Sequence, residues 1–265
     1  MSREQEMGAR TADTSAGPPP EPNGAAPDAM AFPLKALLVG TVKPFGPGGV
    51  PSGIAKQPVA GPVHLGREGF AGDGQGDRRH HGGPDKAVHH YPFDHYAAWT
   101  QEIGPHAVLE QPGAFGENLS CAGMTEADVA LGDVFRLGGA VVEVSQGRQP
   151  CFKLNHRFAV TDMAARVQRS GRTGWYYRVL EEGRVAPGDS LVRLERRAPD
   201  WPLQRLWRVL YSDRLARDEL SAMAALPLLP ESWRRLAERR LTTGQVENWN
   251  RRLFGTSGES QGAGS

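Results

Sequence analysis

Cysteine is scarce in this chain, and no long apolar run is present. Cys121 and Cys151 are the two cysteines among 265 residues, too few for a disulfide framework. No run of about 18 apolar residues could span a bilayer, and no apolar segment flanked by positive charge near the N-terminus marks a signal peptide. These absences predict a cytoplasmic protein without a membrane partner.

The net charge of the chain is close to zero. Lys and Arg total 31 against 30 Asp and Glu, so the overall charge gives no reason to expect binding to nucleic acid. Arginine is concentrated in residues 201–254, which contain ten Arg and six acids. We interpret this excess as a solvated face, because neither a basic sheet with stacking aromatics nor a helix-turn-helix pattern accompanies it.

A glycine- and histidine-rich segment spans residues 72–92 and reads GDGQGDRRHHGGPDKAVHHYP. Its five glycines would let backbone N–H groups approach an anion, and Arg78, Arg79, His81 and Lys86 add positive charge. The segment therefore predicts a phosphate-binding loop. Zinc binding is a weaker alternative, because adjacent histidines point in different directions and no HExxH or CxxC pattern is present. A surface loop without function is the remaining interpretation.

Cys151 lies in a second unusual segment, residues 145–153, which reads SQGRQPCFK. It follows a proline and lies between Arg148 and Lys153, two cations that would favour its thiolate. We expect a nucleophile or a soft-metal ligand there, although a lone cysteine is more commonly a small buried hydrophobe. Cys121 has no cation nearby in the sequence and is assigned to the core.

Short apolar runs bounded by Gly or Pro predict β-strands over 34–42, 62–65, 141–144 and 175–180. A strand over 87–91 leads into a helix over 93–103, and Thr161 would cap a helix that ends near residue 169. Gly-Asp turns at 132–133 and 188–189 suit antiparallel pairs. Residues 33–198 are therefore predicted to form a β-barrel with a few helices, between a disordered N-terminal extension over 1–32 and a disordered tail over 256–265.

Residues 199–255 are predicted to form a small helical domain that is separable from the barrel. Asp200 would cap a first helix, in which residues 203, 206, 207 and 210 form an apolar stripe. A second helix would begin at residue 212 or 213 and be interrupted by the prolines at 227 and 230. A third would contain residues 233–241, and a short fourth element residues 246–253.

Four segments follow one another as the motifs of a MOSC domain do: residues 79–88 (RHHGGPDKAV), residues 113–119 (GAFGENL), the Gly132-Asp133 turn and residues 145–153. With the RRL pieces at 239–241 and 251–253, the chain resembles the bacterial YiiM-type MOSC proteins over about residues 33–255. The resemblance implies a mostly β fold, in which a MOSC β-barrel with a few helices precedes a small C-terminal three-helix domain. It also implies molybdenum cofactor (molybdopterin) and the reduction of N-hydroxylated compounds, such as N-hydroxylated purines, to amines.

The same resemblance implies roles for individual residues. Cys151 would ligate molybdenum, and His81 and Asp85 would be the candidate proton donors. The residues that would hold the pterin and its terminal phosphate are Arg79, His80, Gly82, Gly83, Lys86, Asn118, Gln146, Arg148 and Lys153.

The sequence has neither a cysteine cluster for an iron–sulfur centre nor a GxGxxG unit for a flavin or nicotinamide cofactor. An external redox protein is therefore expected to supply electrons, with the arginine-rich helical domain as its docking surface. The family resemblance also favours a homodimer. A different class of function stays open, a cofactor-binding or sulfur-carrier module in which Cys151 carries a persulfide and no substrate is turned over.

Overall fold

The chain forms a β-barrel followed by helices in the computed structural model, which describes residues 30–74 and 82–255. The strands are β1 (Ala31–Val39), β2 (Lys43–Phe45), β3 (Val50–Ser52), β4 (Gln57–Pro58), β5 (Val63–Gly66), β6 (Gly69–Phe70), β7 (Val88–His90), β8 (Leu119–Cys121), β9 (Asp133–Leu137), β10 (Ala140–Gly147), β11 (Trp175–Glu181), β12 (Gly183–Val185) and β13 (Ser190–Arg196). The α-helices are α1 (Asp94–Ile103), α2 (Lys153–Phe158), α3 (Met163–Ser170), α4 (Leu203–Tyr211), α5 (Arg217–Ala224), α6 (Glu231–Thr243) and α7 (Asn250–Phe254). Two 3₁₀ turns cover Pro84–Lys86 and Ala107–Leu109.

Seven of these strands pair around a closed ring in the order β13, β9, β10, β11, β7, β8, β1, and β4 extends the pairing of β1. The ring closes where the first strand meets the last, because Ala31 pairs with Val192 and Pro33 with Ser190 in antiparallel register. β7 and β8 run parallel to each other. The mostly β fold with a barrel and a C-terminal helical domain is therefore confirmed.

Burial along the strands follows from what covers each face. β11 alternates buried and half-buried residues, as expected of a strand with one face on the barrel interior. β10 is buried at nearly every position, because α4 packs against it from outside. A Cβ atom added to Gly147 at the end of β10 would lie 3.4 Å from the ring of Trp233 on α6. The helices thus cover the outer face of this part of the barrel.

Most predicted elements are present with shifted ends. β1 begins at Ala31, inside the predicted extension over 1–32, while residues 1–29 and the predicted tail over 256–265 lie outside the described residues. Two predicted caps are wrong by one or two residues, since Asp162 precedes α3 and Pro202 precedes α4. α2 is too short for apolar periodicity to have predicted it.

The helices after residue 199 share a hydrophobic core with the barrel. Leu206, Met223 and Trp233 from α4, α5 and α6 belong to the same cluster of buried side chains as Val142 of β10. The short α7 packs through Leu253 into a second cluster that includes α1 and α3. Apolar packing is therefore continuous across the predicted boundary at residue 199. Within the two described ranges, no helix has both the length and the apolar character needed to cross a membrane.

Candidate functional site

An open pocket forms where several loops and strand ends of the barrel meet the segment that contains Cys151. Its walls come from β3 and the loop that follows it, the segment after β6, the Pro84–Lys86 turn, β7, the loop before β8, the segment after β10, the start of α2, and β11. The lining residues are Ser52, Gly53, Ile54, Lys56, Asp73, Gly74, Lys86, His89, Phe115, Gly116, Asn118, Arg148, Cys151, Lys153 and Tyr176.

Glycines let three backbone segments come together at the pocket wall. The N–H of Gly74 donates to the carbonyl of Gly40 at 2.6 Å. A Cβ atom on Gly53 would lie 1.9 Å from the carbonyl oxygen of Gly74, so only glycine fits at position 53. This close approach brings Asp73 to the N–H of Gly40, which donates to Oδ1 at 2.8 Å.

Asp73 is the centre of a buried polar network in the wall. Its Oδ2 lies 2.5 Å from Lys56 Nζ and accepts from Asn118 Nδ2 at 2.8 Å. Asn118 also donates to the carbonyl of Leu38 at 3.1 Å, and its Oδ1 accepts from the N–H of His89 at 3.0 Å. Asn118 lines the pocket as predicted, but both of its donor hydrogens are committed to the protein.

Glu117 folds the loop before β8 around a buried carboxylate. It accepts the N–H groups of Gly113 at 2.7 Å and Phe115 at 3.0 Å, as well as the hydroxyl of Tyr96. Gly113 has a φ of 106°, a conformation that favours glycine. The folded loop turns Phe115 toward the pocket, where its carbonyl accepts from Arg148 Nη2 at 3.1 Å.

Positive charge dominates the described lining, which contains four Lys or Arg residues and a single carboxylate, Asp73. Arg148 and Lys153 are each only 7% exposed. Lys153 donates Nζ to the carbonyl of Pro51 at 2.9 Å. Arg148 has a buried Nη1 that meets no acceptor among the described residues. This excess of positive charge, together with the unpaired N–H, suits an anionic ligand.

His89 contributes a neutral imidazole to the same wall. Burial, and then the nearby charge of Arg148, hold the pKa of His89 well below its ordinary value. Its ring lies 5.1 Å from that of Tyr176, centroid to centroid. Its Nε2 has no hydrogen-bond partner in the described part of the chain. His89 therefore adds polarity to the pocket without adding charge.

The two cysteines lie in different surroundings. Cys151 is 8% exposed and lines the pocket. Cys121 is fully buried in the barrel core, where burial raises the pKa of its thiol to about 12. Cys151 is the thiol that a ligand in the pocket can reach.

Asp85, a predicted proton donor, lies outside the pocket lining. Its carboxylate accepts from Arg178 Nε at 2.9 Å, and its carbonyl accepts from Ser145 Oγ at 2.6 Å. These contacts hold the Pro84–Lys86 turn, which presents Lys86 to the pocket. The position of Asp85 thus fits support of a neighbouring cation better than contact with a ligand.

The other predicted site residues fall into three groups. Those that line the pocket are Lys86, Asn118, Arg148, Cys151 and Lys153. Those that are described but lie outside the lining are Gly82, Gly83 and Gln146, the last of which is buried in β10. Those that lie outside the described residues are Arg79, His80 and His81.

Among the lining residues that were not predicted as site residues, four carry a titratable side chain: Lys56, Asp73, His89 and Tyr176. Asp73 lies between two glycines of the predicted phosphate-binding segment, and this position could have identified it as a site residue from the sequence. His89 lies in the same segment but was considered only as a zinc ligand. Lys56 and Tyr176 lie in unremarkable sequence, and only the fold brings them to Cys151.

Comparison with known proteins shows what the chain as a whole is similar to. A MOSC domain matches residues 77–192, and a YiiM-like 3-alpha helix domain matches residues 201–244. Protein YiiM of Escherichia coli is 38% identical over 226 residues, which are 85% of this chain and 100% of that protein. A crystal structure of YiiM from Escherichia coli covers 85% of this chain and 100% of that chain, with a TM-score of 0.72 and 34% identity. A protein of Gibberella moniliformis named Reductase is 39% identical over 197 residues, which are 74% of this chain and 35% of that protein.

Proposed function

Because this chain belongs to the MOSC family and is of the YiiM type, we propose that it is an oxidoreductase that binds molybdenum cofactor in the described pocket. Its proposed reaction is the reduction of N-hydroxylated compounds, such as N-hydroxylated purines, to amines. The relative named Reductase supports the redox class of this proposal.

One observation carries the proposal: the Cys151 thiol lines a single pocket together with Lys86, Arg148 and Lys153. Molybdenum cofactor is a pterin that carries a dithiolene and a terminal phosphate. Its site needs a soft ligand for the metal and cationic or N–H donors for the anion. The donor set of this pocket fits both needs.

The residues divide between these two needs. Cys151 would ligate molybdenum, and the cations Lys86 and Lys153 would hold the phosphate and the pterin. Arg148 would add a directed hydrogen bond, since its buried Nη1 has no acceptor in the described structure. Asn118 would support the wall through its hydrogen bond to Asp73. Of its side-chain atoms, only Oδ1 could accept a further hydrogen bond, from the ligand.

When bound, the cofactor supplies the two-electron chemistry by which R–NHOH and two protons become R–NH2 and water. Residues of the chain would deliver those protons to the substrate. Lys56 Nζ lines the pocket and shares a short hydrogen bond with Asp73 Oδ2. We assign proton delivery to this pair in place of Asp85, which is bound to Arg178. His81 stays a candidate outside the described residues.

Electrons are proposed to come from an external redox protein. The arginines of the helical domain, the predicted docking surface, are partly neutralised by acids of the same domain. Arg205 pairs with Glu219 at 2.8 Å and Arg240 with Glu247 at 2.7 Å. The charge available to an acidic partner is therefore smaller than the composition suggests. The proposal of a redox partner rests on the lack of iron–sulfur and dinucleotide-binding motifs in the sequence, and that of a homodimer rests on the family resemblance.

The test is to produce the chain in a host that synthesises the cofactor and to measure molybdenum and pterin per chain. Turnover of an N-hydroxylated purine with a chemical reductant is measured on the same samples. We expect stoichiometric molybdenum and turnover in the wild type and in Cys121→Ser, and loss of both in Cys151→Ser. A persulfide on Cys151 without molybdenum would support the sulfur-carrier alternative. Equal losses in both cysteine variants would contradict the assignment of Cys151.

A further inference from the structure

Both sequence neighbours of Cys151 are hydrogen-bonded to one residue of α7, the last helix in the described part of the chain. Arg252 Nη1 donates to the carbonyl of Pro150 at 2.5 Å, across 102 residues of sequence. The N–H of Phe152 donates to the carbonyl of Arg252 at 2.7 Å. The backbone on each side of the thiol is thus held by α7.

The guanidinium of Arg252 is itself fixed in place. Its Nη2 donates to Gln168 Oε1 on α3, and its Cζ lies 5.9 Å from the ring centroid of Tyr211 on α4. Tyr211 in turn accepts from Gln149 Nε2 through its hydroxyl at 3.0 Å. Arg252 therefore connects the segment before Cys151 to two helices that pack around it.

A second contact anchors the segment after Cys151. Asn155 Nδ2 donates to the carbonyl of Leu253 at 2.8 Å, and Leu253 is buried in the cluster around α1 and α3. The loop at Cys151 is a bend between β10 and α2, whose backbone groups must find partners when buried. α7 supplies partners that neither β10 nor α2 can supply.

We propose that Arg252 is a positioning residue for Cys151, and that α7 is part of the thiol site. The inference rests on the proposed function in one respect, the role of Cys151 as the ligand of molybdenum. It predicts an effect on the thiol of the cofactor-free protein as well. Without the contact to Pro150, the loop would open and the thiol would become accessible.

The experiment measures the rate of iodoacetamide alkylation of Cys151 across pH in cofactor-free, full-length Cys121→Ser protein. In this background we expect Arg252→Ala to raise the rate about tenfold at each pH, the size expected for loss of a charge-assisted hydrogen bond. Arg252→Lys, which can still reach a carbonyl, should restore part of the protection. The matched control is Arg251→Ala, because Arg251 is the exposed neighbour on the same helix; its rate should match that of the background.

Two further measurements separate positioning from general loosening. The first is alkylation of the core thiol Cys121 in Cys151→Ser protein, with and without Arg252→Ala; the second is thermal unfolding of every variant. A rise confined to Cys151 supports the proposal. Equal rises at both thiols, or an unchanged rate at Cys151, would overturn it. If Arg252→Ala does not fold, Arg252→Gln replaces it and is compared with Arg252→Lys. Faster alkylation confined to Cys151 in Arg252→Gln supports the proposal, and equal rates in the two variants would overturn it. Molybdenum content is not used, so failure of this test is distinct from failure of the proposed function.

Discussion

Lys56 and Asp73 form a buried ion pair in the pocket wall, with Nζ 2.5 Å from Oδ2 and both side chains no more than 7% exposed. Burial lowers the pKa of Lys56, and the attraction of the Asp73 carboxylate opposes that change. Asp73 also accepts hydrogen bonds from Gly40 and Asn118. Removal of either charge would therefore leave the other charge buried without its partner.

Removal of the Asp73 charge should be more damaging than removal of the whole pair. We expect Asp73→Asn to lower the free energy of unfolding by about 3–5 kcal/mol at pH 7, because it leaves a buried lysine uncompensated. The double variant Lys56→Met, Asp73→Asn should lose less. The deficit of Asp73→Asn should also shrink as pH rises, because the buried lysine can then lose its proton. Urea unfolding of the single and double variants checks this; a double variant less stable than Asp73→Asn would contradict it.

Asp85→Asn tests whether this carboxylate donates a proton or supports Lys86. Its ion pair with Arg178 is partly exposed, and such pairs contribute about 1 kcal/mol or less. We therefore expect turnover to fall by no more than about fivefold, with a small loss of cofactor retention. Lys86→Ala is the comparison and should weaken retention by about 1.5–3 kcal/mol if its contact with the anion is buried. Loss of nearly all turnover in Asp85→Asn, with cofactor retained, would restore the role of proton donor.

Glu247 should make part of the stability depend on acid pH. Burial by itself would raise the pKa of Glu247, but hydrogen bonds from Arg240 and Trp249 outweigh it and hold the pKa at about 2. A carboxyl with a lowered pKa stabilises the fold above its unfolded value of 4.5, and that contribution is lost as pH falls toward 2. Glu247→Gln should cost about 1–2 kcal/mol at pH 7, reduced from the full linkage value because the group is partly solvated.

Urea unfolding of Glu247→Gln at neutral pH and at several values between pH 4.5 and 2 measures this contribution. The difference from wild type should shrink steadily across that window. The control is Glu238→Gln, because Glu238 is an exposed acid on α6. A pH-independent difference at Glu247 would show that lost packing, and not charge, is responsible.

Truncation at residue 199 should not leave a stable barrel. Leu206, Met223 and Trp233 belong to the same core cluster as the barrel strands, and their removal would expose the outer face of β10. We expect the shortened chain to aggregate or to lose cooperative thermal unfolding, whereas a control deletion of residues 256–265 should unfold as the full chain does. A soluble product with a sharp melting transition would support a separable domain instead.

Local patterns in the sequence were sufficient for many elements of the fold and for part of the site. A short apolar run predicted β11, and an apolar stripe at helical spacing predicted α4. Motif order indicated the family and pointed to Cys151, Lys86, Arg148 and Lys153, all of which line the pocket. These features are predictable because spacing and residue chemistry are properties of short segments.

Contacts between distant segments were decided only by the tertiary structure. Arg252 is 102 residues from Pro150, and nothing near either residue in the sequence indicates their hydrogen bond. Asp85 has the chemistry of a proton donor, but packing of the barrel gives it Arg178 as a partner. Sequence by itself therefore determined many of the strands, most of the helices and the candidate chemistry. The arrangement of charges around Cys151 and the union of helices and barrel in one core required the fold, because they depend on which surfaces pack together.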